Sequence, residues 1–177
     1  MIMNSGLRKN LVIVFIVMGC VLFAYGTFAD AKNDDILPIL DTTESLFKSM
    51  KDKDYSRIWS LISAKSHKII LKDVQKAIAK TNINVPMDAL STDFASGGRY
   101  AKEYWDAFLN VFDPDMVLLH SKWEVGTISK NEGEVILLYK KSDKPAIIKV
   151  FKEDDAWKVG LEETFRPRRM LSHIPWD

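Results

Sequence analysis

The sequence predicts an α+β domain in which N-terminal helices pack on an antiparallel sheet of about four strands. Three observations carry that prediction. Apolar residues recur at helical spacing as far as Phe112. From Val117 to Leu161, apolar and polar residues alternate in short runs instead. Turn-forming residues separate those runs by only a few positions, which favours hairpin-linked neighbours over parallel crossovers.

The elements follow in order. Asp34-Asp35 offers an acidic helix start with Pro38 in the first turn, and Ile36, Leu40, Thr43, Phe47 and Met50 form one stripe. Asp54 caps a second helix carrying Tyr55, Ile58, Trp59 and Ile62 on one side. Ser66 is the expected cap of a third, which buries Ile70, Val74, Ala77 and Ile78. A break over Thr81 to Val85 leads to Pro86, suited to the start of a short fourth helix. Ser96-Gly97-Gly98 is a hinge. Beyond it, Tyr104, Trp105, Phe108, Leu109 and Phe112 give the strongest amphipathic pattern of the chain, ended by Asp113-Pro114-Asp115. Val117, Leu119, Trp123 and Val125 read as the first strand. Asn131-Glu132-Gly133 is the expected turn into a nearly all-apolar run, Val135 to Tyr139. Ser142-Asp143-Lys144-Pro145 turns into a third strand, Ala146 to Lys152. Glu153-Asp154-Asp155 turns into a fourth, with Trp157, Val159 and Leu161 on one side. Four linked strands with one apolar face need a cover, and the upstream helices supply it.

Ahead of this body lies an export segment. Arg8 and Lys9 precede an apolar run from Leu11 to Phe28, followed by small-residue exits at Thr27-Phe28-Ala29 and Ala29-Asp30-Ala31. Cleavage after Ala31 divides the chain into a signal segment, 1–31, one domain, 32–165, and a tail, 166–177. Two other fates fit the same residues. The run is at the lower length limit for a spanning anchor. Val17-Met18-Gly19-Cys20 also resembles a bacterial lipoprotein box, which would lipidate Cys20. In a bacterial source all three place the domain in the periplasm or cell envelope, and the membrane is met only through this N-terminal segment.

Composition narrows the function classes. Of 177 residues, 47% are apolar and 28% charged, the mixture of a globular chain. Removing residues 1–31 takes away Arg8, Lys9 and Asp30 and leaves acidic and basic residues equal in number. That balance gives no electrostatic footprint for nucleic acid. The single Cys lies in the export segment, so the rest offers neither a thiol nucleophile nor a thiolate metal site.

The order of elements resembles the nuclear transport factor 2-like, or cystatin-like, superfamily. Two stretches carry the likeness: Asp54 to Ser63 (DYSRIWSLIS), similar to the short second helix of its small exported members, and Ala146 to Gly160 (AIIKVFKEDDAWKVG), similar to their penultimate hairpin. The resemblance implies a curved sheet closing with the helices into a cone, and a homodimer through the convex sheet face in many members. It also implies that any active site would lie inside the cone, with a carboxylate or His as base and a Tyr at the oxyanion. Tyr55, Tyr100, Tyr104, Asp106 and His120 are the residues able to furnish one, with His120, Tyr104 and Asp106 the catalytic candidates. No motif of the family's enzymes falls on these positions. An apolar ligand cavity, if the large rings splay apart, would be lined by Trp59, Tyr104, Trp105, Phe108 and Trp123.

Other chemistries lack their constellations. His67, His120 and His173 share no ligand spacing and no HExxH string, so no metal and no cofactor is expected. Ser45-Leu46-Phe47-Lys48 matches S-x-x-K without the SDN and KTG partners of the serine acyl enzymes. Gly97-Gly98 sits in no phosphate-loop frame. Arg166, Arg168 and Arg169 read as a solvated tail, and Met170, Leu171, Ile174 and Trp176 as a tip that docks back on the domain. The expected role is therefore an exported, non-catalytic binding or accessory domain. It would hold a small apolar ligand or an envelope protein partner; the alternative is an isomerase, dehydratase or cyclase-like enzyme.

Overall fold

The computed structural model describes residues 34–142 and 144–165. The expected export segment, Asp143, the arginines expected to form a solvated tail and the apolar tip expected to dock lie outside the described residues. The chain divides into two units, residues 1–37 and 38–177. Of the first, only residues 34–37 are described, and the architecture below is that of the second. Among the described residues, no helix is long and apolar enough to cross a membrane.

Helix α1 (Ile36–Asp52) buries Ile39, Thr43, Leu46, Phe47 and Met50. The expected stripe is thus turned slightly, with Ile39 fully buried and Leu40 only partly. The Thr43 hydroxyl donates to Ile39 O at 2.8 Å, which removes the cost of burying it. Helix α2 (Tyr55–Leu61) is capped by Asp54, whose carboxylate accepts from Arg57 N–H at 3.0 Å. Helix α3 (Ala64–Ile78) starts earlier than expected. Ser63, in extended conformation, is its cap and accepts from Ser66 N–H at 3.1 Å, so Ser66 lies inside the first turn. Both serines fit the sequence rule for a cap; the extended backbone of Ser63 decides between them.

A 3-10 turn (Ala79–Thr81) and left-handed Asn82 separate α3 from α4 (Met87–Ser96), which follows Pro86. Gly97 closes α4 at φ 68°, where a side chain would be strained. Helix α5 (Arg99–Leu109) begins at once, its Ala101 N–H held by the Asp93 carboxylate at 2.9 Å. A Cβ on Gly98 would run into that same carboxylate. Tyr104, Trp105 and Phe108 face inward from α5.

The first strand begins later than the alternation suggests. Asp113 caps a further helix, α6 (Pro114–His120), accepting from Asp115 N–H at 2.9 Å, with Pro114 in the first turn. An Asp-Pro start is a strong helix signal. It outweighs a two-residue alternation at Val117 and Leu119. Val117 is buried in α6, while Met116, Leu119 and His120 are exposed.

Strands β1 (Ser121–Ile128), β2 (Glu132–Tyr139), β3 (Ala146–Glu153) and β4 (Ala156–Val159) form one sheet in sequence order, every pair antiparallel. The first turn sits at Lys130-Asn131, because Glu132 and Gly133 already belong to β2. Trp123, Val125, Gly133, Val135, Leu137, Ile148, Val150, Trp157 and Val159 share the face turned toward the helices. At Gly133 a Cβ would lie 2.9 Å from Ile39 Cδ1, so the missing side chain lets α1 seat closely on the sheet. Asp154 and Asp155, at φ 47° and 61°, make the tight last turn. Leu161 does not extend β4 but starts a short helix, α7 (Leu161–Phe165).

Candidate functional site

The sequence-nominated residues fall into three places. Trp59, Tyr104, Trp105, Phe108 and Trp123 come together in the interior. They belong to one chain of ring contacts: Trp59 to Phe94 (centroids 4.8 Å apart), Phe94 to Tyr104 (5.6 Å), Tyr104 to Trp105 (4.9 Å) and Trp105 to Phe108 (5.8 Å). The chain continues from Phe108 to Phe112 (5.3 Å), on to Phe47 (5.9 Å) and then to Trp123 (5.8 Å). Most of these contacts are edge-on or tilted, the arrangement preferred by aromatic quadrupoles. Tyr104 and Trp105 are 0% exposed. The Tyr104 hydroxyl and Trp105 Nε1 are buried, and neither has a hydrogen-bond partner among the described residues. Burial, with the negative charges of Glu162 and Asp73 adding to it, raises the Tyr104 phenol well above its ordinary range.

Asp106 points elsewhere. Its Oδ1 accepts from the Tyr55 hydroxyl at 2.7 Å and from Lys53 Nζ at 2.9 Å, tying the start of α2 to α5. Burial pushes the Asp106 carboxyl up, but the bonds from Lys53 and Tyr55 outweigh it and hold the carboxyl below its usual value. Tyr55 is pushed up to about 12, first by burial and then by Asp106. At neutral pH the pair is a phenol donating to an anion already matched by an ammonium. His120 ends α6 in solvent, on a different element from both.

Sequence reasoning missed a fourth place, at the start of α3. His67 stacks on Trp59 with centroids 3.9 Å apart, and its Nε2–H donates to Trp59 O at 2.7 Å. Burial lowers its pKa, opposed by the carbonyl and by Glu153. Nearby, Ala64 N–H donates to both oxygens of Glu153, at 3.2 and 3.0 Å, so a carboxylate of β3 occupies the positive end of α3. Ser63 and Ser66 bond to each other at 2.9 Å, Glu162 N–H donates to Ser66 Oγ at 3.3 Å, and Lys65 pairs with Glu163 at 3.1 Å. A cleft of about 400 Å³ opens here beside Asn131, Phe151 and Lys152. A smaller one, about 230 Å³, adjoins it over Glu134 and Lys149, which form an ion pair. These partners are up to 98 positions apart in the chain, so no local spacing announces them.

Among the described residues, no three His, Cys, Asp or Glu side chains converge to hold a metal ion. The clefts present charges that are largely matched within the protein, beside one aromatic side chain. Such a surface can bind by contact, and within it the Ser66 hydroxyl donates to Glu163 Oε2 at 3.5 Å.

What fold and site define is a class: an α+β protein with helices on one face of an antiparallel four-stranded meander and aromatic rings in contact between the two layers. No family model matches the chain, no curated protein matches it, and no solved structure matches its fold.

Proposed function

We propose that this protein is an exported, non-catalytic accessory domain of the nuclear transport factor 2-like type that works in the cell envelope by contact with a protein partner. One observation supports this most: the side chains that would line a reaction or ligand cavity are joined ring to ring, while Asp106 turns away from Tyr104 to bond Tyr55 and Lys53, and His120 ends another helix in solvent. Proton transfer next to a carbonyl needs base and oxyanion donor around one substrate. A polar cleft beside Phe151 suits a partner's surface segment better than an apolar small molecule. Export rests on the basic-then-apolar run from Arg8 to Phe28.

The test is a titration of the folded chain with the apolar fluorophore 1-anilinonaphthalene-8-sulfonate, alongside Tyr104→Phe. The reading expects no saturable binding and a variant as stable as the parent or more so, by up to about 1 kcal/mol in urea unfolding, because an unpartnered buried hydroxyl is removed. Stoichiometric binding abolished by Tyr104→Phe would move the function into the interior and revive the enzyme. Mass spectrometry of the native N-terminus after cell fractionation reads the export proposal. A chain beginning after Ala31, or lipidated at Cys20, supports it; an intact chain in the cytosol sinks it.

A further inference from the structure

The two edges of the sheet are treated differently. At one edge, Ser63 N–H donates to Val159 O at 2.9 Å, so the link between α2 and α3 covers β4. Next to it, Gly160 N–H bonds Lys149 O at 2.8 Å, and Lys149 N–H bonds Thr164 Oγ1 at 3.0 Å, which occupies β3 at Lys149. At the other edge, β1 pairs with β2 alone among the described residues.

The phase of that pairing fixes what β1 offers. Lys140 N–H donates to His120 O, and Lys152 N–H to Asn131 O. Antiparallel strands alternate bonded and non-bonded pairs. Both bonds therefore direct the backbone of Lys122 and Glu124 to β2, and that of Ser121, Trp123 and Val125 outward. The bulge between Val125 and Ile128 ends the straight stretch. On the outer face of the same stretch stand Lys122 and Glu124, both exposed, on either side of Trp123.

We infer that the occupant of this edge is a second copy of the chain, paired antiparallel about Trp123. In that register the Trp123 backbones bond each other, and Ser121 bonds Val125 of the second copy on both sides. Each Lys122 then faces a Glu124, in the closely spaced pairs where side chains interact most. Sliding by two residues sets Lys122 against Lys122 or Glu124 against Glu124, so charge selects the one register. The pairing is two-fold, so it uses the β1 edge of both copies and closes at two. Leu119 (63% exposed) and Met116 lie in α6 just ahead of β1 and add exposed apolar side chains to this end of the sheet. This edge-to-edge dimer is independent of what the clefts contact, and it differs from a dimer through the outer sheet face.

Sedimentation equilibrium of the full chain in detergent tests it, with Lys122→Glu, Glu124→Lys and the double exchange Lys122→Glu/Glu124→Lys. A reversible dimer is expected. Each single change should raise its dissociation constant at least about tenfold, since two attractive pairs become repulsive, and the double exchange should restore it. Circular dichroism checks that these exposed substitutions leave the fold intact. A dimer indifferent to all three variants places the interface elsewhere and overturns the proposal. So does a monomer; slow hydrogen exchange of the Trp123 amide in that monomer would assign the edge to another segment of the same chain.

Discussion

His67 gives the chain a pH dependence that can be derived from its surroundings. Its imidazole lies against the Trp59 ring with Nε2–H on Trp59 O, and burial keeps it neutral. In the unfolded chain the ring titrates near its ordinary value of 6.5. Below that pH the unfolded chain takes up a proton that the folded chain resists, so stability falls as pH drops from 6.5 toward the lower folded value. Urea midpoints between pH 7.5 and 5 should record the decline, and His67→Gln should flatten it; an equal decline in the variant would locate the sensitivity in another group. Tyr104 and Asp106 show the same dependence on surroundings. They lie two positions apart on one helix, yet one is a phenol sealed among rings and the other a carboxylate matched by Lys53. Helical periodicity predicts that Tyr104 faces inward, but it cannot say whether a polar atom will meet a partner there.

Capping chemistry decided element boundaries where hydrophobic periodicity left a choice. Asp54 is legible as a cap because a helical stripe follows it directly. Ser63 and Ser66 compete for the same role three residues apart, and the bridge between Ile62 and Val159 resolves it by holding the preceding chain extended. Ser63→Ala should lower stability by about 1–2 kcal/mol, since it orphans the Ser66 N–H inside a buried network, and urea denaturation would measure it. A change below a few tenths of a kcal/mol would show that the cap carries little. The segment from Pro114 to His120 carries the opposite lesson. Its alternation is short, and two apolar positions at spacing two occur in helices as readily as in strands, whereas Asp113-Pro114 has a mechanism for starting a helix.

Across the described body, helices and sheet are held by one apolar core with tryptophans on both layers: Trp59 and Trp105 on helices, Trp123 and Trp157 on strands. The described body should therefore unfold as a unit, with tryptophan fluorescence and far-ultraviolet circular dichroism giving coincident urea transitions. Two separated transitions would mean that the layers have independent cores. Helix count up to α5, four strands in meander order and the helical cover over one face could all be read from periods of 3.6 and 2 with their turn residues, because these are local constraints written in neighbouring positions. The polar cluster around Ser63, Glu153 and Glu163, the pairing of Asp106 with Tyr55 and the difference between the two sheet edges could not. Each is made by residues brought together from distant parts of the chain, where position depends on packing and register. By itself the sequence determined the helices as far as α5, the four strands in their order and the apolar side that each turns inward, but not helix α6 or the short helix at Leu161. Whether the buried rings close on one another or leave a cavity was decided only when the helices settled on the sheet, since that depends on side-chain volumes meeting in three dimensions.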